Sequence, residues 1–192
     1  MKKLVFASGN KHKLSEIANK LTSVLEVVSM RDLGFEDEIE EPGATLEENA
    51  EIKAKHINEL YSIDCFADDT GLEIEALNGA PGVYSARFAG EGCSFDDNVQ
   101  KALDLLANKT NRKACFRTVI CLILNNKTYF FEGRIDGEIT TERFGTDGFG
   151  YDPIFRPNGS EKTFAEMSQS EKNQISHRAL AVEKLVEFLI SN

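Results

Sequence analysis

The chain has 192 residues, enough for one large domain or two lobes around a real core. Its 41% apolar content excludes a disordered polymer. The 22 Lys and Arg against 32 Asp and Glu leave a formal charge of −10, which speaks against non-specific binding to nucleic acid or to an anionic membrane. An anionic substrate would need a local cluster of basic side chains and a bound cation.

The opening segment carries no secretory pattern, because its apolar run stops after about four residues. No run approaches the roughly 18 apolar residues of a membrane span. Cys65, Cys93, Cys115 and Cys121 form no C-x-x-C pair. Three of them sit in apolar runs, as small hydrophobes do, which argues against a zinc site and a disulfide framework. The cytoplasm is the expected location.

Residues 3–7 predict a short buried strand, followed by a loop and a helix with Leu14, Ile17, Ala18, Leu21 and Leu25 on one face. Strand, Gly-containing loop and helix open an α/β fold. A second strand is expected at 27–29. Residues 32–48 are acidic and irregular, and Thr45 with Glu48 has the capping-box form for a helix burying Leu46, Ala50, Ala54 and Ile57. Residues 64–67 predict a strand ending in Asp68-Asp69-Thr70-Gly71, and 72–77 another. A helix is expected over 94–106. Residues 114–124 read as a central strand covered on both faces. Asn125-Asn126 reads as a tight turn into an antiparallel partner at 127–135, and 139–144 as one more strand. Residues 145–160 hold four glycines and two prolines and predict a long loop. The C-terminal segment is helical. There is no repeat, no low-complexity stretch and no flexible linker. The pattern implies a mixed sheet flanked by helices in a single domain, residues 1–192.

Five segments carry candidate chemistry. Ser8-Gly9-Asn10, with Lys11 and Lys13, follows the first strand; backbone N–H groups before a helix bind anions, although the plainer reading is a helix cap. The acidic run 36–48 is ordinarily a solvated face, but Glu40-Glu41 beside Pro42-Gly43 can present a carboxylate to a hard cation. Asp68 and Asp69 beside an apolar strand are costly unless a cation or donors compensate them. Such a pair suits Mg²⁺ binding and proton acceptance from water, against the plainer reading of an Asp-rich turn. In 145–155, Phe149 or Tyr151 can stack on a base and Asp152 can accept from a sugar or base edge, against aromatics tucked into the core. Lys172, His177 and Arg178 form the last segment. Cations in a first helical turn oppose the helix dipole, so they are either tolerated at the surface or justified by a ligand.

Together the segments "ASGNKHKLSEI", "EEPGATLEENAEIKA", "FADDTGLEIEALNGAPGVYSAR", "GFGYDPIF" and "EKNQISHRALA" resemble the inosine triphosphate pyrophosphatase family, bacterial branch, over nearly the whole chain. Thr70 stands where many relatives carry Ser and keeps the hydroxyl. Pro42-Gly43-Ala44 replaces a Thr-Gly-Thr-like stretch. The resemblance implies an elongated mixed sheet flanked by helices, in two lobes around a central substrate cleft, and a homodimer. It implies hydrolysis of non-standard purine nucleoside triphosphates (dITP, ITP, XTP) to monophosphate and pyrophosphate, with Mg²⁺. It assigns the triphosphate to Ser8, Gly9, Asn10, Lys13 and Lys53. It assigns the metal to Glu41 and Asp69 with Asp68 close by, and the water's proton to Asp69. Thr70 would touch substrate, Phe149, Gly150, Tyr151 and Asp152 would line the nucleoside pocket, and Lys172, His177 and Arg178 would read the base. The 6-oxo group of hypoxanthine and xanthine accepts a hydrogen bond where adenine's amino group donates, so donors at His177 and Arg178 would favour the former. The alternatives are a Maf-like nucleotide pyrophosphatase acting on pyrimidine or modified nucleotides, and a nucleotide sensor without turnover.

Overall fold

The computed structural model describes residues 2–21 and 25–191; Met1, at the head of the opening segment, lies outside them. In chain order the elements are β1 (Lys2–Phe6), α1 (Lys11–Leu21), β2 (Leu25–Ser29), α2 (Leu46–Tyr61), β3 (Cys65–Ile74), β4 (Pro81–Gly82) and α3 (Phe95–Leu105). They continue with β5 (Lys113–Leu124), β6 (Lys127–Ile139), β7 (Phe155–Pro157), α4 (Gln169–Ile175) and α5 (His177–Ser191). The strands form a mixed sheet in the order β2-β1-β3-β5-β6-β7, with β4 paired to β3, and helices flank it. By contacts the chain divides into a first unit of Met1–Asp69, Thr118–Gly133 and His177–Asn192, and a second of Thr70–Arg117 and Arg134–Ser176.

In the first unit β1 lies parallel to both β2 and β3. Alternation along its strands builds two cores. Leu4, Phe6, Phe66, Ile120 and Leu122 pack with Ile17 and Leu21 of α1 and with Ala181, Val182 and Leu185 of α5. Val5, Ala7, Cys65, Ala67, Cys121 and Ile123 pack with Ala50, Ala54 and Ile57 of α2. Thus α1 and α5 cover one face and α2 the other. The second unit has its own core, built on Leu72, Ile74, Val99, Ala102, Phe116, Phe155 and Phe164. The four cysteines are free thiols, and burial pushes those of Cys65 and Cys121 up to about 12, as suits packing groups. Among the described residues no helix is long and apolar enough to cross a membrane.

Four expectations change. Leu25 starts β2 rather than ending the α1 face, though it still reaches the same core. The strands expected at 64–67 and 72–77 are one strand, β3, which runs through Asp68-Asp69-Thr70-Gly71. The strand expected at 139–144 is absent, and β6 instead continues to Ile139. β7 falls inside the expected 145–160 loop, and α4 is an added helix. Glycine underlies the changes in β3 and β6. A Cβ on Gly71 would lie 2.6 Å from the Gly82 carbonyl oxygen, one on Gly133 1.9 Å from that of His177, and one on Gly137 2.3 Å from that of Arg156. These glycines do not break strands; they admit a neighbouring backbone at close range. Asn125 and Asn126, both at positive φ, make the expected turn from β5 to β6.

Gly133→Ala forces α5 away from β6. The expected loss is about 1–3 kcal/mol in urea unfolding. A change below about 0.5 kcal/mol would show that this approach is slack.

Candidate active site

A strand sends successive side chains to opposite faces. Phe66 belongs to the α1/α5 core, whereas Cys65 and Ala67 belong to the α2 core. Asp68 therefore falls on the α1/α5 face and Asp69 on the α2 face. Neighbours in sequence, they meet different cations.

On the first face Asp68 is fully buried. Lys13 Nζ donates to its Oδ1 at 3.1 Å and Arg178 Nε to its Oδ2 at 3.3 Å. Arg178 Nη1 also donates to Glu16, itself buried and one turn beyond Lys13 on α1. Burial alone would raise the Asp68 carboxyl, but Lys13, Arg178 and Lys53 overcome it and hold the group at about 2. The same burial lowers the Lys13 ammonium from its usual value, against the pull of Asp68. Burial also works against charge on Arg178, yet Asp68 and Glu16 raise it above its ordinary value.

On the second face α2 supplies both contacts. Thr45 caps the helix by accepting from Glu48 N at 3.2 Å. Glu48 does not complete a capping box; its carboxylate accepts instead from Ala44 N at 2.6 Å. Asn49 and Lys53, four residues apart, share one side of α2. Asn49 Nδ2 donates to Asp69 Oδ2 at 3.3 Å. Lys53 Nζ lies 3.0 Å from Glu41 Oε1 and 3.7 Å from Asp69 Oδ1. The Asp69 carboxyl is raised from its ordinary value: burial dominates, Glu41 and Asp68 add to it, and Lys53 and Lys13 offset it only in part. Lys53 is raised in spite of burial, because Asp69, Glu41 and Asp68 surround it.

Other expected residues fall elsewhere. Asn10 Oδ1 accepts from His12 N at 3.0 Å and Lys13 N at 3.2 Å, and Ser8 Oγ accepts from Asn10 N at 3.3 Å, so this segment caps α1 and thereby orients Lys13. Ser176, extended at ψ 152°, separates α4 from α5. Lys172 consequently lies in the second unit, and His177 and Arg178 open α5 in the first. In the second unit Lys172 Nζ donates to Asp152 Oδ2 at 2.7 Å, with both side chains buried, and stands 4.9 Å from the centre of the Phe149 ring. Asp152 also accepts from Phe149 N at 2.8 Å. Gly150 is at positive φ, and Tyr151 is buried with its hydroxyl donating to the Ser85 carbonyl at 2.9 Å. Thr70, partly buried, begins the second unit.

Sequence reasoning passed over Glu16 and Asn49. Glu16 was discoverable only as the residue one turn after Lys13, and Asn49 as the residue one turn before Lys53. The donor set suits Mg²⁺ at Glu41 and Asp69, two carboxylates gathered on one ammonium. Among the described residues no group of three or more His, Cys, Asp or Glu is placed to hold a metal ion. Asp68, expected beside the metal, is engaged at both oxygens by Lys13 and Arg178.

Asp68→Asn leaves buried Lys13 and Arg178 facing a neutral amide, with an expected loss of about 3–5 kcal/mol at neutral pH. Because the folded carboxyl sits at about 2, below its ordinary 3.8, the contribution is complete above that ordinary value and is lost as pH falls through about 2. Urea stability measured against pH should show wild type and variant converging over that window. A gap unchanged across the window would refute the assignment.

A model described as the Ham1 family matches residues 4–188. A dITP/XTP pyrophosphatase of Porphyromonas gingivalis is 52% identical over 191 residues, covering 99% of this chain and 98% of the relative. Another protein of that name, from Flavobacterium johnsoniae, is 51% identical over 187 residues, covering 97% of each. The solved structure of the Staphylococcus aureus Ham1 protein matches with a TM-score of 0.90 at 40% identity over 99% of both chains. That of a HAM1 protein from Coxiella burnetii matches with a TM-score of 0.92 at 40% identity over 100% of both. Likeness of this extent, end to end and in both sequence and fold, means that the chain belongs to the Ham1 family.

Proposed function

We propose that the protein hydrolyses non-standard purine nucleoside triphosphates (dITP, ITP and XTP) to the monophosphate and pyrophosphate. The observation that carries the chemistry is Asp69: a buried carboxylate raised from its ordinary value, held by Asn49 and facing the Lys53–Glu41 pair. Its position, fixed by Asn49 and faced by Lys53, suits it to accept a proton from a water beside it. The name shared by whole-length relatives at about half identity supports the substrate class.

In this reading Glu41 and Asp69 hold Mg²⁺, which when bound supplies charge neutralisation at the phosphate oxygens. Lys13 and Lys53 add fixed positive charge, and Asn10 keeps Lys13 in place. Asp69 takes the proton of the attacking water. Attack on the phosphoanhydride breaks the link between the α and β phosphates, and pyrophosphate leaves. Such transfer depends mainly on position and charge, which buried ion pairs supply without reorganisation. Phe149, Tyr151, Asp152 and Lys172 serve the nucleoside and His177 selects the 6-oxo purine, while Arg178, engaged by Asp68 and Glu16, holds Asp68 in place. The enzyme acts in the cytoplasm as a homodimer on small nucleotides.

The test is hydrolysis of ITP, XTP, GTP, ATP and dTTP with and without Mg²⁺, with products separated by chromatography. The expected result is Mg²⁺-dependent monophosphate and pyrophosphate from ITP and XTP, on the order of 100-fold faster than from ATP. Orthophosphate as the sole product refutes the reading. A preference for dTTP moves the protein to the Maf-like class, and tight ITP binding without turnover makes it a sensor. At saturating Mg²⁺, Asp69→Asn should lower kcat by about 10²–10⁴ while ITP affinity by calorimetry changes little. Retention of most activity would place the base elsewhere.

A further inference from the structure

Asn49 is fully buried, polar and in the first turn of a helix. A buried amide needs partners at both ends, and Asn49 has them on two separate segments. Its Oδ1 accepts from Gly43 N at 2.7 Å, and its Nδ2 donates to Asp69 Oδ2 at 3.3 Å. Chemistry fixes this orientation: a backbone N–H can only donate and a carboxylate only accept. Asp would lack the donor, and Ser offers its donor and its acceptor on one oxygen rather than on two separate atoms.

Gly43 stands two residues after Glu41. Its close approach needs the missing side chain, since a Cβ there would lie 2.5 Å from Asn49 Oδ1 and 2.8 Å from Glu48 Cβ. The contacts close into a ring. Asp69 is held at one oxygen by Asn49 and faces Lys53 with the other; Lys53 grips Glu41; and the chain from Glu41 returns through Gly43 to Asn49. Glu48 also holds this loop, at Ala44 N, but through an exposed bond that does not reach Asp69.

From this ring we infer that Asn49 is a positioning residue that fixes the spacing of the Glu41 and Asp69 carboxylates and so sets the affinity of the divalent-cation site. The inference rests on the reading of those two carboxylates as the cation site. Groups that orient metal ligands from behind typically contribute about 10–100-fold in metal affinity.

The test uses Mn²⁺ alone, its binding to the full-length protein followed by electron paramagnetic resonance. Asn49→Ala and Gly43→Ala should each weaken Mn²⁺ binding about tenfold, with an effect for the double variant well short of the product. Glu48→Ala should weaken it by less than about threefold. The KM for ITP at saturating Mg²⁺ should stay within about twofold for every variant. A merely structural Asn49 would lower the melting temperature and leave the Mn²⁺ constant within about twofold of wild type, which overturns the inference. If Asn49→Ala does not fold, Asn49→Ser and Gly43→Ala carry the test. In wild type the Gly43 amide should be protected from hydrogen exchange, and free exchange there also overturns the inference. Wild-type protein that neither binds Mn²⁺ nor hydrolyses ITP instead overturns the parent reading, whereas an active wild type with unchanged variants overturns only the positioning role.

Discussion

The alternation of β3 at Asp68 and Asp69 is the constraint around which the first unit is arranged. One residue step turns two charges to opposite faces of a sheet whose faces are otherwise apolar. An unpaired buried carboxylate costs several kcal/mol, so each face must bring its own cation. The α1/α5 face brings Lys13 and Arg178, and the α2 face brings Lys53. Such pairs add little net stability, yet removing one member is expensive. They act as a fixed frame rather than as glue.

The two faces treat their carboxylates differently. Asp68 meets full-strength partners on both oxygens and is held at about 2, so it stays charged at any working pH. Asp69 is raised instead, first by burial, since Lys53, which stands closer to Glu41, and Lys13 offset that burial only in part. In the proposed reading this difference divides the roles of fixed charge and proton acceptor between them. Identical side chains one residue apart differ because a strand gives each a separate environment.

Local patterns made much of this legible. The first strand and helix, the Thr45 cap, the helix after Ser94 and the Asn125-Asn126 turn each depend on residues within a few positions of one another. The continuity of β3 did not show, since Asp and Gly ordinarily punctuate a strand. What keeps Asp68 in that strand is Lys13, 55 residues away, and Arg178, 110 residues away. The Glu16–Arg178 contact spans 162 residues. Lys172 and Arg178, close in sequence, were read as one group, but the break at Ser176 sends them to different units. Composition and spacing report which residues carry chemistry; they do not report which face a long-range partner approaches.

Glycine resolves a problem that both units share. Each has a loop that, in the proposed reading, must be still for the reaction, yet loops lack the ladders that hold strands. Each unit solves this by docking a loop amide on a buried polar side chain. Gly43 N donates to Asn49 in the first unit, and Phe149 N donates to Asp152 in the second. In each case the approach needs a glycine, because a Cβ on Gly43 would meet Asn49 Oδ1 at 2.5 Å and one on Gly148 would meet Asp152 Oδ2 at 2.1 Å. The buried side chain is then fixed from its other end, Asn49 by Asp69 and Asp152 by Lys172. A loop amide, a glycine at it or beside it and a doubly anchored side chain together give irregular backbone the rigidity that a preorganised site demands. Glycines that look like flexibility in the sequence therefore act as the means of immobilising it.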